Sequence, residues 1–470
     1  MLFNSIPFIY LFLPIAIISF TLAHRFFGAI HAQIVILIAS AFFYAYWSFP
    51  YLVLLVAGIF FNFWLGKMLS ESQSKLLLLA GITVNLAVLA YFKYANFFIS
   101  NLDSVFQTSV PTLHIILPIG ISFFIFQKIA YLVDCYQGQV NDHNLLRFAL
   151  FVLFFPQLIA GPIVHHAEVT PQLRKSSLLP SPEYISTGLF LFFIGLFKKV
   201  VVADSIASYV DAPFAHASTL QFLEAWTAVV GYSLQIYFDF SAYSEMAMGL
   251  GLMFGIQLPI NFNSPYKAAN ITEFWRRWHI TLGRFLRQYL YIPLGGNRHG
   301  HFRSSVAAIM VMFLGGLWHG AGWTFVLWGL LHGLFLAIHK TWSRYRQLPH
   351  NAGVALTFFV VLFSWVLFRA NSVTDAISIW KTMLGMHGIG VPYILPGNLS
   401  SYLVYHHSPY INGLEILAMS ILLLYVLTKK NVHELIKEIP SKKTFALAST
   451  AILFSLVIVS RPSTFLYFQF

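Results

Sequence analysis

Apolar positions in this chain come in long uninterrupted runs, without the strict alternation of polar and apolar residues that a lipid-facing barrel strand requires. Examples are Ile6 to Leu22, His31 to Trp47, Tyr51 to Leu65, Leu76 to Tyr91, Ile185 to Leu196, Val354 to Phe368, Ile411 to Leu427 and Phe445 to Val459. An α-helix needs about 20 such residues to cross ~30 Å of hydrocarbon. Backbone N–H and C=O groups in lipid find partners only within a helix or a closed barrel. The pattern therefore predicts a single all-α integral membrane domain over residues 1–470, with roughly ten or more helices. The first run has no basic segment before it and no small-residue cleavage site, so it reads as a retained span and not as a secretory signal. At Phe155-Pro156-Gln157-Leu158-Ile159-Ala160-Gly161-Pro162-Ile163, two prolines and a glycine break the pattern. Broken backbone at membrane depth is tolerated where it is buried in protein or lines a cavity, which predicts a re-entrant segment.

Composition agrees: 58% of the residues are hydrophobic and 9% charged, leaving no stretch polar enough for a soluble domain. A single cysteine, Cys135, excludes an intramolecular disulfide, a cysteine-based zinc site and a CxxC redox pair. Its local context, with no histidine beside it, reads as a small buried hydrophobe. The net charge of +12 reports orientation first, because basic residues mark the cytoplasmic side. Arg25, Lys67, Lys75, Arg174, Lys175, the run Lys340 to Arg346, and Lys429, Lys430, Lys437, Lys442 and Lys443 are assigned there. The connections Asn101 to Leu113 and His387 to Asn412 have no lysine or arginine and read as external. Counting spans between these segments puts both termini outside.

Three constellations carry candidate chemistry. The first is Trp318-His319-Gly320-Ala321-Gly322-Trp323, an imidazole between indoles within apolar sequence. An ionisable group at membrane depth is expensive and is by default a hypothesis about function. A core histidine bonded to a backbone carbonyl accounts for it as well. The second runs from Asn270 to Arg298. On one continuous helix, Trp275, His279 and Leu282 would share a face and Arg277, Arg284 and Arg287 the opposite side. Asn270 or Thr272 would cap its start, and Pro293-Leu294-Gly295-Gly296 would end it. The arginines fit an interfacial helix meeting lipid headgroups. They also fit bidentate recognition of an anionic cofactor, because every basic side chain between Lys267 and Lys340 other than histidine is arginine. The third contains Asp239 and Glu245, two of only sixteen acidic residues, whose expected role is pairing with arginine or with helix ends. His332, thirteen residues beyond His319, would face away from it on a continuous helix and reads as a packing residue. The pairs His165-His166 and His406-His407 lack a carboxylate or cysteine set, and there is no HExxH, so no metal is expected.

Taken in order, FFPQLIAGPI, YFDFSAYSEMAMGLGLMFGIQLP, FWRRWHITLGRFLRQYLYIPLGGNR, GLWHGAGWTFVLWGLLHG and the closing FLYFQF resemble the membrane-bound O-acyltransferase family. The similarity is to the bacterial branch with the alginate and peptidoglycan O-acetyltransferase membrane subunits. It covers the chain from its first span to its last residue. The resemblance implies a polytopic helical fold with re-entrant segments around a central tunnel. It implies acetyl-CoA as cytoplasmic donor, a hydroxyl of a cell-envelope polysaccharide as acceptor, no metal, and a bacterial cytoplasmic membrane location. A separate extracytoplasmic acetyltransferase partner would carry the final sugar specificity. It makes His319 the first choice for the catalytic residue, with His279 at the family's second polar position. His319 would take the hydroxyl proton and His279 would donate to or orient the developing oxyanion. Arg276, Arg277, Arg284 and Arg287 would serve the donor. A transporter or channel would equally explain buried polar groups and broken helices. It would not explain two tryptophan-framed histidines, and no paired halves are present. An inactive scaffold, or an acyltransferase fed by a carrier protein, are the other readings.

Overall fold

The structure, a computed structural model, describes residues 1–140, 142–174, 179–388, 413–436 and 465–466. Every regular element among the described residues is helical. In chain order these are α1 (Phe8–Phe27), α2 (Ala29–Ala45), α3 (Phe49–Ser72), α4 (Lys75–Phe106), α5 (Ile121–Tyr136), α6 (Leu145–Leu153), α7 (Phe155–Leu158), α8 (His166–Leu173), α9 (Pro182–Ala215), α10 (Phe222–Met253), α11 (Ile271–Arg277) and α12 (Ile280–Leu286). They continue with α13 (Gly300–His319), α14 (Trp323–Trp342), α15 (His350–Arg369), α16 (Val373–Met383), α17 (Gly413–Thr428) and α18 (Val432–Ile436). Seven helices among the described residues, α1, α3, α4, α9, α13, α14 and α15, are long and apolar enough to cross a membrane, and α2 and α17 are shorter apolar helices. This is a multi-pass, all-helical membrane protein. The apolar run Phe445 to Val459, most of the uncharged stretch His387 to Asn412, His406-His407, and Lys175, Lys437, Lys442 and Lys443 lie outside the described residues.

The described residues divide into two compact units, the first drawn from residues 1–197, 242–260 and 465–466, the second from 198–241, 261–388 and 413–436. In the first unit, aromatic rings do much of the packing: Phe155 lies 5.2 Å from Phe12 and 5.5 Å from Phe43, all three buried in the same cluster. Hydrocarbon gives helices in lipid no reason to associate, so close packing and interhelical hydrogen bonds hold them. Asn62 of α3 and Asn85 of α4, both buried, form such a bond at 2.7 Å, and Gln33 of α2 donates to the Leu173 carbonyl of α8 at 2.9 Å. The proline-broken segment expected at 155–163 is present: α6 stops at Phe154, α7 is a single turn, and residues 148 and 150–166 are buried throughout.

In the second unit, α13 and α14 form a hairpin with only Gly320, Ala321 and Gly322 between them. Their approach demands glycine: a Cβ on Gly316 would fall 2.3 Å from the Phe325 carbonyl oxygen and 3.0 Å from Cα of Gly329. Against this hairpin sits a cluster of tryptophan and phenylalanine, with Trp328 of α14 stacked 6.0 Å from Trp365 of α15 and 5.0 Å from Phe368. The buried Lys199 is matched by two carboxylates, bonding Asp239 at 2.6 Å and Asp204 at 2.7 Å.

Candidate functional site

His319 is the last residue of α13. Gly320 follows in extended conformation, with φ −160° and ψ 151°, which ends the helix and starts the turn. The imidazole is buried, 4% exposed, and has aromatic rings on three sides: Trp318 at 4.9 Å, Trp328 at 5.1 Å and Phe368 at 5.1 Å, all close to perpendicular to it.

His279 does not lie on the continuous helix that its spacing predicted. The helix breaks at Trp278, which is extended, and His279 adopts φ 43° and ψ 53°, in the left-handed region, before α12 restarts at Ile280. A residue other than glycine held there costs on the order of 1–3 kcal/mol and persists when its surroundings over-determine it. The surroundings here are the segment 261–264. Ile280 N–H donates to the Asn261 carbonyl at 2.9 Å, and Asn263 N–H donates to the Arg277 carbonyl at 2.9 Å. The predicted opposition of aromatic and cationic faces does not survive this break, because the residues before and after it belong to different helices.

The Asn261 side chain fixes the proton on His279. Its Oδ1 receives the backbone N–H of Thr281 at 3.2 Å and the Thr281 hydroxyl at 2.9 Å, and it lies 3.1 Å from Nδ1 of His279. A backbone N–H only donates, so the atom facing it is the amide oxygen, and Nδ1 must then carry the proton. Nε2 of the neutral ring is consequently an acceptor. Phe240 stands edge-on to this ring at 4.8 Å and Phe262 lies beside it at 6.3 Å.

The two imidazoles come together, their centroids 6.5 Å apart at 63°. Even with a nitrogen of each ring aimed at the other, roughly 4 Å would separate them, more than a hydrogen bond spans. One oxygen atom between them can bond to both. The level of this pair follows from α14: Trp328, against His319, precedes Trp342 at the helix end by fourteen residues, or about 20 Å at 1.5 Å per residue. Trp342 lies within the basic run Lys340 to Arg346. His319 is therefore carried deep along the hairpin from its basic end.

The other sequence candidates separate into distinct roles. Arg277 is engaged locally, its Nη2 2.8 Å from Glu273 and its Nη1 donating to the Asn263 carbonyl at 3.2 Å. Burial would raise the Glu273 carboxyl, but the Ala269 N–H and Arg277 outweigh it and hold it below its ordinary value. Arg276 and Arg287 are exposed and Arg284 is half-buried. Asn270, of the two capping candidates, caps α11 by accepting the Glu273 N–H at 2.9 Å. Asp239 pairs with lysine where arginine was expected, and Glu245 is buried. Cys135 is a buried thiol beside Ser70 and Tyr131. His166 is buried near Tyr131 and Phe151, and the His165 N–H bonds the Glu168 carboxylate at 3.0 Å, a helix-start contact. Among the described residues no group of three or more histidine, cysteine or carboxylate side chains converges as a metal site would.

His332 is buried among aromatic rings, in keeping with the packing role expected of it, although the reasoning about its direction does not hold. The angle between it and His319 assumed one helix, and the turn at 320–322 removes that assumption. It packs 4.7 Å from Trp328, the ring that also faces His319. Its protons are fixed as well: Trp275 donates to Nδ1 at 3.3 Å, so Nε2 carries the hydrogen toward Ser364 Oγ at 2.8 Å. Residues that sequence reasoning passed over are Asn261, Phe240, Phe262, Trp328 and Phe368. Asn261, a polar residue within an otherwise ordinary loop, had no local signal of its burial.

Comparison with known proteins bears on this geometry. The sequence profile of the membrane-bound O-acyltransferase family matches residues 68–380. A peptidoglycan O-acetyltransferase of Helicobacter pylori is 39% identical over 100% of this chain and 98% of its own length. A probable alginate O-acetylase, AlgI, of Pseudomonas aeruginosa is 40% identical over 83% of this chain and 75% of its own. A teichoic acid D-alanyltransferase of Bacillus subtilis is 27% identical over 56% of this chain and 70% of its own.

Proposed function

The chain belongs to the membrane-bound O-acyltransferase family, and on that premise we propose that this O-acyltransferase takes acetyl from cytoplasmic acetyl-CoA and passes it across the membrane for O-acetylation of a cell-envelope polysaccharide, alginate-like or peptidoglycan. The observation that carries the reading is the paired burial of His319 and His279 about 20 Å along α14 from its basic end. A donor arriving at that end must present its reactive carbonyl on a long, narrow arm. A pantetheine thioester has that form and a compact donor does not.

In the reaction, the acceptor hydroxyl gives its proton to His319 while its oxygen bonds to the thioester carbonyl carbon. The carbon–sulfur bond then breaks, and the proton passes from His319 to the leaving thiolate. The donor role expected of His279 does not fit its neutral tautomer, whose outward nitrogen accepts. We assign it instead the task of orienting His319: it receives, through one intervening oxygen, the N–H on the far side of the base, so that the lone pair of His319 faces the hydroxyl. Asn261 fixes His279 in turn. Arg276, Arg284 and Arg287 are the arginines for the donor's phosphates, whereas Arg277 is occupied by Glu273 and the Asn263 carbonyl. The location is the bacterial cytoplasmic membrane, and an extracytoplasmic acetyltransferase completes delivery to the sugar.

A carrier-protein donor would bring the same arm. The names of relatives at 39–40% identity, acetyltransferase and acetylase, favour acetyl as the transferred group, and the choice between free acetyl-CoA and a carrier is left to the test. The test is acetyl-CoA cleavage by the protein in lipid nanodiscs, with and without polysaccharide, for wild type, His319→Ala and His279→Ala at matched folding. Release of CoA by wild type and its loss in His319→Ala supports the reading. Absence of cleavage with acetyl-CoA, with a carrier-bound acyl donor and with an external partner would move the protein to the transporter or scaffold class.

A further inference from the structure

A cavity of about 680 Å³ opens between the end of α14, the start of α15 and the start of α11, and neither His279 nor His319 lines it. Its surface is mainly apolar, with Ile338 and Trp342 on α14 and Leu356 and Val360 on α15, although Asn270, His339 and Thr357 also line it; Arg346 and His350 lie where α14 ends and α15 begins. No residue lining it is acidic. Glu273, whose field reaches His350, is already paired with Arg277. From His350 to Val360 the wall descends about 15 Å along α15, the depth of one bilayer leaflet. Ile338, Trp342 and Leu356 are 52–53% exposed, so the groove faces outward. A second groove, of about 490 Å³, runs on the other side of α14 and shares Ile338 and Trp342 as its wall. The two residues thus form a ridge between two apolar channels.

We propose that this end of α14 and α15 is a binding site for an anionic two-chain phospholipid, its phosphate on Arg346 and its chains on either side of the Ile338–Trp342 ridge. Three features choose this occupant. The end at Arg346 is cationic and the channels mainly apolar, which matches a phosphate-headed amphiphile. Trp342 and Tyr345 sit where aromatic residues anchor a helix at the water boundary. The run Lys340 to Arg346 marks the face at which anionic lipids concentrate and attract juxtamembrane basic residues. A free phosphate would satisfy Arg346 and leave both channels unexplained. The proposal does not depend on the acyl-transfer reading.

The test uses the full chain in detergent, with retained phosphatidylglycerol and phosphatidylcholine compared by native mass spectrometry. One basic side chain near the membrane surface contributes about 1 kcal/mol, or roughly a five-fold preference for the anionic lipid. Arg346→Ala should bring that preference to parity, and Leu356→Trp, which fills the larger channel from an exposed position, should reduce retention of both lipids. Equal retention of the two lipids by wild type overturns the proposal. So does undiminished phosphatidylglycerol in both variants. A third arm adds CoA: displacement of phosphatidylglycerol from wild type but not from Arg346→Ala would assign the cationic end to the acyl donor and overturn the lipid assignment.

Discussion

Replacing Asn261 with aspartate changes the proton arrangement at His279 while keeping an oxygen where Thr281 and the imidazole need one. The carboxylate would lie about where Oδ1 now stands, 3.1 Å from Nδ1. Two opposite unit charges at that separation attract by about 5 kcal/mol at an effective dielectric constant of ~20. Burial opposes charging this imidazole and pushes its pKa down to about 3; the attraction is of the size needed to offset that cost near neutral pH, and where the second proton binds, the outward nitrogen changes from acceptor to donor. If His279 orients His319 by accepting, turnover should fall steeply, toward the ~10⁴-fold loss seen when a catalytic histidine is held in the wrong tautomer. If His279 instead stabilises the oxyanion by donating, the same substitution should hold or raise turnover. The assay is CoA release in nanodiscs, with ¹⁵N shifts of labelled histidine reporting the protonation of the ring. Asn261→Leu is the companion: it strands three buried donors, two on Thr281 and one on His279, each costing about 1–3 kcal/mol. Wild-type turnover in Asn261→Asp, with His279 demonstrably doubly protonated, would refute the orienting role.

Other outcomes follow from the same geometry. His319→Gln should reduce acetyl transfer by about 10²–10⁴-fold with acetyl-CoA binding unchanged, measured by single-turnover kinetics and by equilibrium binding. Lys199→Met should destabilise by about 3–5 kcal/mol because it leaves Asp239 buried without its cation; the double variant with Asp239→Leu should recover much of that, read from thermal unfolding in detergent. Gly316→Val should prevent α13 and α14 from closing and lower the yield of folded protein, measured by size-exclusion chromatography. At Asp142, burial raises the carboxyl, but hydrogen bonds and charges from Arg147 and Arg174 outweigh it and hold it below its ordinary value. A depressed carboxylate stabilises the fold above its unfolded value, near pH 4, and that contribution disappears as the pH falls through the lower folded value. Asp142→Asn should therefore flatten the acid limb of the stability profile.

Sequence pattern identified the lipid-facing helices because their runs are uniformly apolar: Tyr51 to Leu65 lies within α3 and Val354 to Phe368 within α15. It was less informative for helices that touch protein on all sides or carry chemistry. α10 holds Gln235, Asp239 and Glu245, all buried, and α13 and α14 carry glycines and histidines that dilute their apolar character. The two histidines were visible as candidates, since polar groups framed by tryptophan are conspicuous in such sequence. Their geometry was not. Periodicity presumes a continuous helix, and both histidines sit where the helix ends, His279 at a left-handed residue and His319 before a glycine turn. What pins the first break is Asn261, eighteen positions upstream, and a contact of that range leaves no periodic trace.

The three-residue turn between α13 and α14 bears on biogenesis as well. Two twenty-residue helices joined so tightly cannot cross the bilayer one at a time, because the turn is too short to wait on the far side. They must enter as a hairpin, with Gly300 and Trp342 left on the side from which insertion began. Their mutual contacts are local in sequence, so this piece can pack before the rest of the chain is made. His319 and Trp328 would then be joined from the moment of insertion, and the remaining wall of the site would assemble around a pair already formed.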